Sequence, residues 1–181
     1  PRGIPTFEVS VLNGLDLIRD ENFLAQWNMD EGYGDYIYDF SDSNVTLNVD
    51  NIRWLGEYDA PTGRYGIRFN GFSSMATSLK TSAMSFGVDD SFTVMGYVYP
   101  FSTNANSCIV ARSDVGKFNW GIIQDGLTLK LKLGGETASC SIPFEEEEWQ
   151  RFAVTYSNGV VNFYIPTVWA LDKKMAKQII R

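Results

Sequence analysis

Two segments of this 181-residue chain each place a continuous set of apolar or small side chains at every second position, and this pattern constrains the fold more than any other feature. In residues 90–100 the apolar side consists of Phe92, Val94, Gly96 and Val98. In residues 149–156 it consists of Phe152, Val154 and Tyr156. Because a strand turns successive side chains to opposite faces, both segments are predicted to be strands that bury one face.

Further short strands are predicted along most of the chain. They lie at residues 6–12, 23–29, 45–49, 65–71, 108–112, 119–123, 127–133, 138–142 and 161–165. Glycine-containing turns separate several of them, which is typical of hairpins. This organisation predicts an all-β fold, an antiparallel sandwich or closed barrel rather than a wound parallel sheet. Residues 171–180 differ, because Leu171, Met175 and Ile179 lie near helical spacing and predict a short C-terminal helix.

Composition narrows the classes of function. The formal net charge of -7 disfavours nucleic acid and anionic membranes as partners. No apolar run is long enough to span a bilayer, so membrane insertion is not expected. The chain contains no histidine, which excludes Ser-His-Asp and Cys-His catalysis and histidine-ligated zinc.

The length suits one domain with a substantial core, and we assign residues 1–22 to a lead-in segment and residues 23–181 to the domain. From the start at Pro1 we expect a processed product, an excised domain or an incomplete sequence. Cys108 and Cys140 can form one disulfide, but burial as two small hydrophobic side chains is the favoured interpretation.

Four segments, in order, resemble the laminin-G-like, concanavalin A-type jelly roll. Residues 23–32 resemble its opening strand and acidic turn, and residues 64–71 its Asx-Gly strand. Residues 91–100 and 149–165 carry the most specific similarity. The resemblance covers roughly residues 23–165 and implies a concanavalin A-like antiparallel β-sandwich. It also implies that a rim loop holds calcium in many members and that loops bind glycans in some.

The similarity ends at Ile165, where the family continues with a hairpin, a returning strand and a short helix. This chain has Pro166 instead and then the helix-like tail, so either residues 167–171 replace the returning strand or the order of elements differs. In the first case one sheet edge lacks its usual neighbour, and an unpaired edge is a template for another chain. We expect a partner subunit or the lead-in segment to cover it.

The acidic loop at residues 30–42 contains three calcium candidates, Asp30, Glu31 and Asp39. Calcium prefers several carboxylate and carbonyl oxygens on a flexible loop. The spacing matches no EF-hand, however, and the acidic residue of the family's returning strand has no counterpart unless Asp172 supplies it. A solvated loop without metal is the favoured interpretation, with calcium the one cofactor to test.

Aromatic residues in and after the acidic loop are candidates for a ligand-binding platform. They are Tyr33, Tyr36, Tyr38, Trp54 and Tyr58. Exposed aromatic rings can stack on the apolar faces of sugar rings while nearby carboxylates and amides bind the hydroxyl groups. Aromatic residues of sandwich proteins also fill cores and pin loops, and alternation at Tyr36 and Tyr38 fits a strand edge equally well.

The four consecutive glutamates at residues 145–148 only superficially suggest the paired carboxylates of a glycosidase. Consecutive residues cannot share one strand face, so this run is predicted to be a solvated turn. The sequence offers no other catalytic candidate, and we expect a protein that is not an enzyme.

Two functions fit these observations. The first is a non-catalytic recognition or attachment module that binds a glycan or a protein surface within a larger extracellular or virion assembly. The alternative is a purely structural subunit that decorates or cements a virion or surface appendage through contacts with neighbouring subunits. Both imply an extracellular, cell-surface or virion-surface location, and the fold alone does not choose between them.

Overall fold

The computed structural model of the chain describes residues 22–61, 64–79, 84–101, 106–114, 117–165 and 175–179. Regular secondary structure within these ranges consists of antiparallel β-strands. They are β1 (Tyr36–Ile37), β2 (Leu47–Asp50), β3 (Arg53–Trp54), β4 (Ile67–Arg68), β5 (Met75–Thr77), β6 (Phe92–Val98), β7 (Ser107–Asp114), β8 (Lys117–Asp125), β9 (Thr128–Leu133), β10 (Glu136–Ser139), β11 (Gln150–Ser157), β12 (Val160–Tyr164) and β13 (Met175–Ile179). In these ranges no helix is long and apolar enough to cross a bilayer.

Two four-stranded sheets form the body of the sandwich, in the orders β10-β9-β8-β7 and β13-β12-β11-β6. Alternation places apolar side chains of both sheets in one buried cluster. From β9 it contains Leu129, Leu131 and Leu133, and from β11 and β12 it contains Phe152, Val154, Tyr156, Val161 and Phe163. The predicted antiparallel β-sandwich is therefore confirmed, and the strands predicted within residues 90–100 and 149–156 provide much of its core.

Aromatic rings join the two sheets at one end of the core. Phe92 of β6 lies 5.5 Å from Trp120 of β8 and 5.5 Å from Tyr156 of β11, measured between ring centroids. Phe86 stacks on Phe92 at 4.4 Å. The buried indole of Trp120 donates a hydrogen bond to the carbonyl of Met84. The polar groups of these side chains are thus paired where they enter the core.

Two smaller sheets accompany the sandwich, β1-β2-β5 and β3-β4. In the first of them Ile37 and Val49 are buried, whereas their chain neighbours Tyr36, Asn48 and Asp50 are exposed. This sheet therefore has one buried face and one solvent-facing surface, as expected for an antiparallel sheet.

The strand predicted at residues 23–29 is wrong, since only an isolated bridge between Trp27 and Asp39 forms there. Met29 has a φ of 57°, a left-handed backbone conformation that ends any extended run. The indole of Trp27 donates to the carbonyl of Val45, so side-chain hydrogen bonds replace a strand ladder in this segment.

The C-terminal helix prediction is also wrong for the residues that the structure describes. Residues 175–179 form β13, which pairs with β12 from Val160↔Ile179 to Tyr164↔Met175. Backbone groups along the open side of β12 offer a full ladder of hydrogen bonds, and this tertiary pairing overrides a weak helical pattern. The chain itself covers this edge, so the expectation of a partner or lead-in there is wrong as well. Residues 167–171, the lead-in strand at 6–12 and Asp172 lie outside the described residues.

The two cysteines are free thiols. Cys108 pairs with Ile123 of β8, whereas the amide of Cys140 donates to the carbonyl of Leu129 in β9. About three strand spacings, or roughly 14 Å, therefore separate them, which is beyond the reach of a disulfide. The prediction that both cysteines are buried as small hydrophobic side chains is confirmed for Cys140, which is buried, and wrong for Cys108, which is exposed. Burial raises the pKa of the Cys140 thiol.

Replacing Phe163 by alanine tests the central core. Its side chain is fully buried, so we expect Phe163→Ala to lower the free energy of unfolding by about 3–5 kcal/mol. Met95 points outward from β6 in the same sheet, and Met95→Ala is expected to change the free energy of unfolding by no more than about 0.5 kcal/mol. Urea denaturation measures both values, and equal losses would contradict this assignment of faces.

Candidate functional site

Residues 30–42, predicted to be an acidic loop, contain the short strand β1, and two tyrosines in and beside this strand face solvent. Tyr36 and Tyr38 lie on either side of the buried Ile37, and both are about half exposed. Their ring centroids are 6.5 Å apart with a tilt of 31°. β1 is an edge strand of its sheet, as the alternative interpretation of this pair suggested. Both rings are nevertheless accessible to a ligand.

Asp39 is the structural centre of this loop. Its Oδ1 accepts the amides of Gln26 and Ser41, each at 2.8 Å, and its Oδ2 accepts the Ser41 hydroxyl and the Val45 amide at 2.8 and 2.7 Å. Partial burial acts to raise the pKa of this carboxyl, but the three amides and the hydroxyl outweigh it and the pKa is lowered. Four donors fill the four acceptor positions of a carboxylate. Asp39 therefore fixes the loop and has no oxygen left for calcium.

The other two calcium candidates also have protein partners. Asp30 lies 3.9 Å from the guanidinium of Arg64, and Glu31 Oε1 accepts the amide of Tyr38 at 2.8 Å. Within the described ranges no group of three or more acidic or cysteine side chains could hold a metal ion. The three candidates therefore make different local contacts, and calcium binding here stays the alternative to the favoured interpretation, a solvated loop without metal.

Glycine is required at position 32, just before the tyrosines. Gly32 has a φ of 74°, and a Cβ there would lie 2.6 Å from the ring of Tyr65. This close packing holds the loop against the segment that contains Arg64, next to the ion pair of Asp30. The path of the chain into Tyr33 and Tyr36 is thus fixed by sterics as well as by hydrogen bonds.

The remaining aromatic candidates have different surroundings. The indole of Trp54 donates to the carbonyl of Gly34 at 3.0 Å, which places Trp54 beside the turn between Tyr33 and Tyr36. Tyr33 is largely exposed. Tyr58 is also exposed. The backbone carbonyl of its neighbour Asp59 accepts the indole N–H of Trp149 at 2.9 Å, so the turn of Tyr58 is anchored to the residue before β11. Trp54 thus pins the loop rather than presenting its nitrogen to a ligand.

Strand register brings polar residues beside Tyr36. Tyr36 of β1 pairs with Asn48 of β2, and Asn48 pairs with Thr77 of β5. All three side chains are exposed, so they form one row across the sheet. Asp50 and Met75, also a pair and also exposed, form the next row. We call the solvent-facing surface formed by these residues and Tyr38 the Tyr36 face.

Sequence reasoning missed Asn48, Asp50 and Thr77. Alternation within residues 45–50 indicates that Asn48 and Asp50 share a side opposite Val49, and that signal was available. The sequence carries no signal for the pairing of Asn48 with Tyr36 and Thr77. β1 and β5 are only two and three residues long, and their register depends on tertiary contacts.

The glutamate run at residues 145–148 forms an exposed turn, as predicted. Glu147 has a φ of 57°, and its amide donates to the carbonyl of Pro100 at 2.9 Å. The four glutamates therefore lie in an exposed turn and not along a shared strand face of the kind that glycosidases use.

Comparison with known proteins adds one finding. A family model described as the concanavalin A-like lectin/glucanases superfamily matches residues 73–178, more than half of the chain. The match spans nearly all of the two four-stranded sheets and includes Met75 and Thr77, whereas Tyr36 precedes it. No curated protein and no solved structure matches the chain.

The hydrogen bonds of Asp39 predict the effect of pH. In Asp39→Asn one acceptor oxygen becomes a donor facing backbone amides, so we expect a loss of about 1–3 kcal/mol in the free energy of unfolding at neutral pH. The folded-state pKa is lowered, so this stabilisation is present above the unfolded pKa and disappears as pH falls through the folded one. The difference between the two proteins should therefore shrink below about pH 4.

Urea denaturation across a range of pH measures this difference, with Asp42→Asn as the matched control because Asp42 is an exposed acid of the same loop. If the loss of unfolding free energy in Asp39→Asn were constant from neutral to acid pH, the ionised carboxylate of Asp39 would not be the source of the stabilisation.

Proposed function

The chain belongs to the concanavalin A-like lectin/glucanases superfamily, and from this membership and the Tyr36 face we propose that it is a non-catalytic glycan-binding module. The fold in general supports binding of a carbohydrate or a protein. A glycan is the finer proposal because of the row formed by Tyr36, Asn48 and Thr77. This row is the observation that carries the proposal.

The chemistry of the row matches that of a sugar ring. The face of a tyrosine ring accommodates the apolar C–H side of a pyranose, and 51% of Tyr36 is exposed. Asn48 supplies both an amide donor and an amide acceptor, Thr77 a hydroxyl of either role, and Asp50 a pair of acceptors. Ligand sites commonly combine an apolar platform with a few convergent polar groups in this way.

Charge favours an uncharged glycan. The chain carries a net charge of -7, and Asp50 lies on the Tyr36 face itself. Sialylated or sulfated glycans would bring like charge against this surface, which costs binding free energy at moderate ionic strength. The proposal requires neither calcium nor a catalytic group, and it places the module outside the cell, on a cell surface or on a virion surface.

A structural subunit is the second candidate, and one observation favours it. Within the described ranges no strand pairs with the free edge of β6, the edge opposite β11. Val94, Gly96 and Val98 face the core from this strand but are only half-buried, whereas Val154 of the neighbouring β11 is fully buried. A strand added by a neighbouring subunit would satisfy the backbone groups of β6 and complete the cover of its inner face.

Substitution of Tyr36 tests the glycan proposal. We expect the unaltered protein to bind uncharged glycans on an array and Tyr36→Ala to weaken that binding by about tenfold or more, since the stacking surface is lost. Tyr36→Phe keeps the ring and should retain most of the affinity. Isothermal titration in calcium and in EDTA should give equal dissociation constants.

Met95→Ala on the outer side of β6 is the control and should bind normally. Sedimentation velocity of the same samples separates the two candidates. A monomer with Tyr36-dependent sugar binding supports the glycan module, whereas obligate association without sugar binding supports the structural subunit.

A further inference from the structure

The loop between β4 and β5 presents a nearly fully exposed phenylalanine. Phe72 is 96% exposed. Its loop is nevertheless highly ordered by hydrogen bonds. Asn70 Oδ1 accepts the amides of Phe72, Ser73 and Ser74 at 2.9, 2.9 and 3.0 Å. Exposure here therefore does not reflect a loose loop.

Further contacts fix the loop beside the Tyr36 face. The amide of Asn70 donates to the Ser74 hydroxyl at 3.0 Å, and that hydroxyl donates to the carbonyl of Asn51. Asn51 directly follows Asp50, and Met75, which directly follows Ser74, pairs with Asp50. The loop that carries Phe72 is thus held at the end of the Tyr36 face, beyond the row of Asp50 and Met75.

The distances along the sheet exclude a single sugar ring as a ligand of both ends. Asn48, opposite Tyr36, and Asp50 are two residues apart on β2, or about 7 Å, and the Phe72 loop begins beyond Asp50. Tyr36 and Phe72 are therefore separated by roughly 10 Å or more. Only a chain of several units can contact an aromatic ring at each end and the polar residues between them.

We propose that the Tyr36 face binds an extended, uncharged oligosaccharide and that Phe72 is the anchor for its distal units. The proposal rests on the glycan-binding function and specifies the length of the ligand. Hydrogen bonds already hold the Phe72 loop, so contact with Phe72 requires little further ordering of the backbone. A rigid aromatic side chain on such a loop is an effective anchor. The polar side chain of Asp50 between the two aromatic ends favours a hydroxylated ligand over an apolar one.

The test is a length series. Uncharged oligosaccharides of glucose, mannose, galactose and xylose, each from the monosaccharide to the hexasaccharide, are titrated against the protein by calorimetry. Affinity should rise with chain length and then level off once the ligand spans the face. Phe72→Ala should weaken binding of the longest ligands by about tenfold and leave that of the shortest ones unchanged.

Two further variants separate the contributions of the ring and of its loop. Asn70→Ala keeps the Phe72 ring but removes the acceptor that orders its loop. It should therefore also weaken binding of the longest oligosaccharides while leaving that of the shortest unchanged. Met95→Ala should match the unaltered protein at every length. Circular dichroism and thermal unfolding confirm that each variant is folded.

The outcomes distinguish the two levels of the proposal. Binding that depends on Tyr36 but neither rises with chain length nor responds to Phe72→Ala would overturn the role of Phe72 and leave the glycan-binding function intact. Absence of binding to every ligand by the unaltered protein would overturn both. Loss of a partner protein, rather than of long sugars, on Phe72→Ala would assign Phe72 to a protein interface and overturn the inference.

Discussion

The alternation of side chains across a strand determines what this molecule presents to solvent. Ile37 and Val49 are buried, and each sits between neighbours that must then face the opposite way. Tyr36, Asn48 and Asp50 are exposed for this reason. A slip of one residue in either strand would bury the polar groups and expose the apolar ones, which costs several kcal/mol for the side chains involved. The register, and with it the composition of the Tyr36 face, is therefore strongly specified.

The same constraint operates in the two large sheets, but with a different result. There the inward side chains of β9, β11 and β12 meet in one core, and rings such as Phe92, Trp120 and Tyr156 connect the sheets. The strands that resemble the family most closely thus serve the scaffold. The polar network around Asp39 then holds the acidic loop in a shape that a hydrophobic core does not impose, which allows the loop to remain on the surface.

Alternation in the sequence correctly predicted most strands of the sandwich, because buried and exposed residues differ clearly in β6, β9 and β11. It failed where side-chain hydrogen bonds or long-range pairing decide the structure. At residues 23–29 the pattern is that of a strand, yet the left-handed Met29 and the bonds of Asp39 produce an irregular segment. At residues 175–179 a helical pattern yields to pairing with β12.

The candidate site follows the same division. Exposure of Tyr36 and Tyr38 agrees with the platform hypothesis. Trp54 and Asp39 instead hold the acidic loop through hydrogen bonds, and the sequence does not disclose the partners in these bonds. Asn48 and Thr77 became candidates through register, which short strands do not disclose in sequence. Phe72 gains meaning only from its position beside Asp50, since an isolated exposed phenylalanine on a surface would need no functional explanation.

The most direct measurement of the central claim, that the Tyr36 face is the binding surface, is a map of amide chemical-shift changes as an uncharged oligosaccharide is added. The account predicts that the largest changes occur at Tyr36, Asn48, Asp50 and Thr77. Largest changes on the outer surface of β6 and β11, at Met95, Tyr97 and Arg151, would contradict it.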